Sequence, residues 1–298
     1  MTAQPALQHG YARVNGIRIH YVEAGSGPLM LFLHGFPEFW YAWDRQLRDF
    51  GRDHQAVAPD MRGYNETEKP EALDAYRVST LVEDIRALAD HLGAQRFVLV
   101  GHDWGGVVAW AFAAAHPDRL EQLVIINAPH PAIFGRELQQ NPAQQRASAY
   151  MLLFRSPAAE TALSANKYER LTGTLLDPLQ RDGHFTAEDR AAYLRAWAQP
   201  GALTGGLNYY RAAQLGPDLT SETDTGMQAI AQPSPINVPT RVIWGERDTA
   251  LLTGNLDGLD AYVADLTIRR VPEGTHWLIH EQPDLINRTI REFLSRLG

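Results

Sequence analysis

An α/β fold is predicted, with a mostly parallel central sheet flanked by helices and an inserted helical block. Three observations predict it. Short, wholly apolar runs of strand length alternate with helical patterns from Pro28 to Ile126. The alternation stops after Asn127-Ala-Pro-His-Pro131, and residues 133–235 show helical patterns and loop composition without a convincing buried strand. Apolar strands then resume at residues 240–244 and 266–271. The expected division is a core domain made of residues 1–132 and 236–298, with a helical cap and its linker at 133–235.

In order, residues 11–23 alternate around Asn15-Gly16 and read as a β-hairpin. Pro28-Leu-Met-Leu-Phe-Leu33 is a continuous apolar run, as expected of a strand buried on both faces, and it runs into His34-Gly-Phe-Pro-Glu-Phe-Trp40. Further strands are expected at 55–59, 97–100 and 123–126. A helix is expected at 80–92 with Glu83 and Asp84 facing solvent. In the insert, helices are expected at 142–154, 160–176, 186–197 (opened by a Thr186-x-x-Asp189 cap signal) and 204–213. The Pro-, Ser-, Thr-, Gly- and Asp-rich stretch 216–239 reads as the linker back to the sheet, and a last helix is expected at 283–296.

Composition narrows the function classes. The chain has 298 residues, 45% of them hydrophobic, with no repeat and no low-complexity tract, enough to bury a full core. The net charge of −8 is spread evenly, so neither a nucleic-acid footprint nor a polybasic membrane anchor is present. Cysteine is absent, which excludes disulfides and thiolate chemistry and fits a reducing compartment. The first ten residues lack the basic and apolar regions of a signal peptide, and no apolar run approaches the ~20 residues of a membrane span. A cytoplasmic location is therefore expected, with no membrane and no nucleic-acid partner. Nothing decides between monomer and homodimer.

The chemistry centres on Gly101-His-Asp-Trp-Gly-Gly106, between an apolar strand and the helical pattern 107–116. This is the strand, sharp turn and helix of a nucleophile elbow, with Asp103 where the better-known hydrolase form has serine. Glycines at 101 and 105 suit a turn too tight for a Cβ. Two later strand ends supply partners: Trp244-Gly-Glu-Arg-Asp248 brings a carboxylate and Pro272-Glu-Gly-Thr-His276 an imidazole, in the order nucleophile, acid, histidine. His34, His102, His130 and His280 are rival bases, but each lacks an acid-bearing strand loop immediately upstream. His276 and His280 are four apart, as metal ligands on a helix can be, yet the H-E-x-x-H order is missing, so no metal is expected.

These segments together resemble the soluble epoxide hydrolase group of the α/β-hydrolase superfamily, over roughly residues 11–297. His34-Gly-Phe-Pro-Glu-Phe-Trp-Tyr-Ala-Trp43 is similar to that group's oxyanion loop and Gly101–Gly106 to its elbow, while Asp248 and His276 fall at its acid and base. Tyr150-Met-Leu-Leu-Phe-Arg-Ser-Pro157 and Asn208-Tyr-Tyr-Arg211 resemble the cap segments that carry its epoxide-activating tyrosines, by position Tyr150 and Tyr210. The resemblance implies an α/β-hydrolase fold with a helical cap, no cofactor, and a small hydrophobic epoxide and water as substrates. Asp60-Met-Arg-Gly-Tyr-Asn65 also resembles a family loop, except that Asn65 replaces the usual glycine. Asn tolerates a left-handed backbone better than most residues, so only a local adjustment is expected there.

The implied roles are consistent with the residues. An aspartate is an anion at neutral pH and needs no base to attack an sp³ carbon. Ring opening places charge on the oxirane oxygen, which two phenols can stabilise and one can protonate. The ester left on Asp103 is then open to a water activated by His276 and Asp248, with the backbone N–H groups of Phe36 and Trp104 facing the oxyanion. Taken singly, each cap tyrosine, among them Tyr168, Tyr193 and Tyr209, reads more readily as a core residue; the motif context is what selects Tyr150 and Tyr210. His34, Pro37, Phe39, Trp40 and Tyr209 are expected around the substrate, with Phe36, Trp104 and Trp110 adding apolar surface. The alternative is a hydrolytic dehalogenase using the same Asp, His and Asp. Haloalkane dehalogenases, however, typically carry Asn where this chain has Phe36, and fluoroacetate dehalogenases carry arginines where it has Trp104 and Val107. A non-catalytic receptor would need none of these protonation roles, and a serine esterase lacks its nucleophile here.

Overall fold

The computed structural model describes residues 5–218 and 236–296. Eight strands form one sheet: β1 (Gln8–Val14), β2 (Ile17–Ala24), β3 (Leu29–Leu33), β4 (Gln55–Pro59), β5 (Phe97–His102), β6 (Leu120–Ile126), β7 (Thr240–Gly245) and β8 (Leu266–Val271). Their order is β1-β2-β4-β3-β5-β6-β7-β8. Only β2 breaks the parallel run, pairing antiparallel with both β1 and β4. The hairpin turns at Asn15 and Gly16, both at positive φ (44° and 78°), as the right-handed strand twist requires.

Alternation along each strand divides the core into two layers. Leu31, Leu33, Leu99 and Ile125 face helices α2 (Val78–His91) and α3 (Trp104–Ala115). Met30, Phe32, Val98, Val100 and Val124 face α1 (Asp44–Phe50) and the C-terminal helix over Pro283–Leu294. Strands covered on both sides read as continuous apolar runs, which is why their positions are legible in the sequence.

Between β6 and β7 the described chain is helical: α4 (Pro131–Gln140), α5 (Pro142–Ala147), α6 (Tyr150–Arg155), α7 (Ala159–Leu171), α8 (Asp177–Arg181), α9 (Ala187–Trp197) and α10 (Ala202–Ala213). The helix expected at 142–154 is two, because the chain turns between Ala147 and Tyr150. The helix expected at 160–176 is interrupted. Ala165 leaves helical geometry, Asn166, Lys167 and Tyr168 have positive φ, and a π-helical turn spans Thr172–Leu176. The Thr186 signal is a reciprocal capping box, with Asp189 N donating to Thr186 Oγ1 at 3.2 Å and Thr186 N to Asp189 Oδ2 at 2.6 Å. Most of the expected linker, residues 219–235, lies outside the described residues. After β8 come α11 (Leu278–Glu281) and α12 (Pro283–Leu294). Among the described residues, no helix is long and apolar enough to cross a membrane.

Asp84 is a correction. It does not face solvent but is 3% exposed, gripped by Arg62 through Nε to Oδ2 at 2.7 Å and Nη2 to Oδ1 at 2.6 Å, with Asn15 adding a third donor at 2.7 Å. The helix turns Asp84 toward the 60–65 loop, which the periodicity of α2 alone does not reveal. In the same loop Asp60 binds His20, the Trp40 N–H and Asn65, and Asn65 adopts φ 38°, the left-handed backbone that Asn tolerates. Arg62→Ala leaves the Asp84 carboxyl buried without its cation, and a stability loss of about 3 kcal/mol is expected in urea unfolding.

Candidate active site

The carboxyl ends of β3, β5, β6, β7 and β8 meet on one side of the sheet, the usual place for a site in this architecture. The turn after β5 holds Asp103 at φ 51° and ψ −124°, a conformation that few side chains adopt. A Cβ on Gly101 would come within 2.5 Å of the Gly105 carbonyl, and one on Gly105 would strike Leu33 from the adjacent β3. Both glycines are therefore needed for the elbow to lie against the sheet.

From β3, the Phe36 N–H donates to Asp103 Oδ1 at 2.8 Å. His276, after β8, places Nε2 3.6 Å from Asp103 Oδ2, just outside direct hydrogen-bond range. Its Nδ1 meets Asp248 Oδ2 at 2.7 Å. Asp248 is fully engaged: Oδ2 also accepts from Asn127 Nδ2 at 2.8 Å, and Oδ1 from the N–H groups of Ala250 (2.8 Å) and Leu251 (2.9 Å). Burial alone would raise the Asp248 carboxyl, but the charge and hydrogen bond of His276, the Leu251 N–H and Asn127 outweigh it and hold it below the usual range. Burial opposes the charged form of His276, and Asp248, Asp103 and Glu38 together prevail, raising it to about 9.

The cap closes over this group. Tyr150 and Tyr210 stand with ring centroids 6.3 Å apart, and Tyr210 is edge-on to Trp104 at 5.1 Å. Burial, aided by the Asp103 charge, pushes both phenols well above their ordinary value, so both remain protonated donors at neutral pH. A cavity of about 460 Å³ touches Asp103, His276, Tyr150 and Tyr210 at once, and Phe36, Pro37, Leu153, Phe154, Leu163 and Leu171 give it apolar walls. A smaller recess beyond Asp103 is lined by Trp104, Val107, Phe134 and Met151.

Several expected pocket residues sit elsewhere. The chain turns at Glu38, whose N–H donates to Gly35 O at 3.0 Å; Pro37 faces the cavity, and Phe39 and Trp40 go behind it, Phe39 against Tyr41 and Tyr193 and Trp40 against His9. His34 is wholly buried. It donates through Nδ1 to Gly35 O and accepts the Met61 N–H through Nε2. Tyr209 points away from Tyr210, as adjacent helical residues must, and its hydroxyl donates to Arg62 O at 2.9 Å. Trp110 is core, donating to Ala128 O.

Of the rival histidines, His130 caps α4, and His102 and His280 flank Glu38. Among the described residues, no group of three or more His, Cys, Asp or Glu side chains could hold a metal ion. The sequence reading missed Asn127, which also accepts the Gly245 N–H at 2.8 Å and so ties β6 to the acid loop. Its place at a strand's carboxyl end was the available signal; the positive φ of 39° that an Asn tolerates there emerges only in the structure. It also missed Arg170, Thr174, Thr249, Ala250 and Trp277 on the cavity wall; of these Thr249, next to Asp248, and Trp277, next to His276, could have been found by adjacency.

A match to the model for the alpha/beta hydrolase fold family covers residues 28–283. Among similar proteins, Epoxide hydrolase 4 of Homo sapiens is 38% identical, across 98% of this chain and 81% of the relative. The AB hydrolase superfamily protein YfhM of Bacillus subtilis is 38% identical, across 96% and 97%. In structure, the chain resembles an epoxide hydrolase from Bacillus megaterium crystallised with an inhibitor, with TM-score 0.87, 36% identity, and 96% and 100% of the two chains covered. The chain belongs to the α/β-hydrolase family.

Replacing Asp248 by Asn keeps the shape of its site and removes the charge that most strongly raises His276. An NMR titration of the ring should then show the His276 midpoint well below that of the unaltered protein.

Proposed function

We propose that the chain is an epoxide hydrolase, converting an epoxide with an apolar body to a vicinal diol through an ester on Asp103. The observation that carries this reading is a single cavity with a carboxylate and an imidazole on its floor and two protonated phenols on its roof. A halide leaving group would need donors but no acid, whereas an opening epoxide needs both.

Asp103 Oδ1 is engaged by the Phe36 N–H, which leaves Oδ2 to attack an epoxide carbon. As that C–O bond forms, the carbon's bond to the ring oxygen breaks, and the oxygen takes a proton from Tyr150 or Tyr210. A water then attacks the Asp103 carbonyl carbon while His276 removes its proton. The oxyanion grows on Oδ1 against the Phe36 and Trp104 N–H groups, each such donor being worth ~3 kcal/mol. Collapse expels the diol oxygen, which takes the proton held by His276, while the water's second proton passes from the new Asp103 carboxylic acid to the phenolate, restoring carboxylate and phenol.

The charges give this sequence an order. In the free enzyme His276 faces two carboxylates and is largely imidazolium below pH about 9, unable to act as a base. Esterification removes the Asp103 charge, the His276 pKa falls, and the neutral base appears once there is an ester to hydrolyse. Asp103 is likewise one of the groups holding the phenols up, so its neutralisation strengthens the acid as ring opening proceeds. Ester hydrolysis should therefore rise with pH through a midpoint below about 9, lower than the midpoint of His276 in the free enzyme. Stopped-flow hydrolysis rates set beside an NMR titration test this; equal midpoints would remove the charge-coupling argument.

The decisive experiment is intact mass of the His276→Gln protein after exposure to styrene oxide and, separately, to a bromoalkane. A gain of the whole epoxide mass on the peptide bearing Asp103 is expected. An alkyl adduct from the bromoalkane alone would replace this reading with dehalogenation. Asp103→Ala should abolish turnover. Tyr210→Phe should slow ring opening by about a hundredfold, at the lower end for loss of a general acid.

A further inference from the structure

Directly behind His276 lies a second cluster of ionisable groups that the mechanism above does not use. Glu38, His102, His280 and Tyr193 are all buried, and they come from four parts of the fold: the loop after β3, the end of β5, α11, and the cap helix α9. Glu38 Oε1 accepts the Tyr193 hydroxyl at 3.0 Å and lies 2.5 Å from His280 Nε2. Its other oxygen is 3.2 Å from His102 Nδ1, close enough for an ion contact but misaligned for a hydrogen bond. His102 Nε2 then lies 2.8 Å from the main-chain oxygen of His276, and the two imidazoles stand 4.8 Å apart.

Two directions in this chain are fixed by chemistry. A phenol beside a carboxylate must donate, and a carbonyl can only accept, so His102 Nε2 carries its proton toward His276. A carboxylate without solvent is costly unless paired, and apolar side chains of similar size would fill the same space at no such cost. The path therefore runs from the cap hydroxyl through Glu38 and His102 to the backbone of the proposed base. Asp248 fixes the ring of His276 from one side, and this path fixes its main chain from the other.

We propose that Tyr193 is a positioning residue that acts through Glu38 and His102 to hold the main chain of His276 while the cap is docked, and so governs ester hydrolysis rather than ring opening. This rests on the reading of Asp103 as the esterified group. A merely structural role makes a different prediction. Tyr150 and Tyr210 are also carried by cap helices, so a loosened cap slows ring opening at least as much as hydrolysis.

The test is Tyr193→Phe in the full chain, which keeps the ring and removes only the hydroxyl. Rapid mixing with styrene oxide, quenched and read by intact mass, gives the rates of ester formation and decay separately. Formation within twofold of the unaltered protein and decay slowed by about tenfold are expected, on the scale of one hydrogen bond to a charged group. Glu38→Gln, which keeps an acceptor for Tyr193 and removes the charge, should show the same split with a larger loss. Equal slowing of both steps in Tyr193→Phe would reduce Tyr193 to a packing residue, and no change in decay would also overturn the proposal. Ester absent even from His276→Gln would instead sink the epoxide reading itself, so the two failures are distinguishable.

Discussion

The site depends first on how closely β5 and its turn approach β3. Asp103 holds φ 51° only because Gly101 and Gly105 let the elbow lie against its neighbours. The parallel register that sets Leu33 opposite Gly101 also brings the Phe36 N–H to within 2.8 Å of the Asp103 carboxylate. The Phe36 donor is thus positioned by the register of β3 on β5. Such a backbone is strained, at a cost of order 1–3 kcal/mol, and the two sheet layers around it hold it in place.

The electrostatics follow from that geometry. Three carboxylates act on one imidazole, Asp103 and Asp248 directly and Glu38 from behind His102, and burial would make this costly if each were not compensated. Asp248 is compensated completely by Asn127, two backbone N–H groups and His276. Glu38 has a phenol and two imidazoles. Asp103 alone of the three lines the cavity, as the proposed nucleophile must.

Much of this was legible in the chain. Strands buried on both faces appear as apolar runs because no alternation is required of them. The elbow appears because its glycines stand at a fixed spacing around the turn residue, although Gly105 answers to Leu33 of the neighbouring strand, and the order of Asp103, Asp248 and His276 reflects the order of the strands. What could not be read depends on the direction of helices. Tyr209 and Tyr210 are adjacent, and nothing in their immediate sequence tells which faces the cavity; the crossing of α10 over Trp104 and Tyr64 decides it. Phe39 and Trp40 leave the cavity because the chain reverses at Glu38. Asp84 is buried because Arg62 reaches it from a loop more than twenty residues away. Each of these is a tertiary contact without a local periodicity.

The placement of the helical insert between β6 and β7 bears on how this molecule fails. The phenols belong to α6 and α10, and the carboxylate and imidazole to the ends of β5 and β8. If the insert were to open locally, the cavity would lose its phenols and its floor would meet water in a single event. What remains is a solvated aspartate, a weak nucleophile. On the proposed mechanism, a molecule with its insert open would be silent and not an indiscriminate alkyl acceptor.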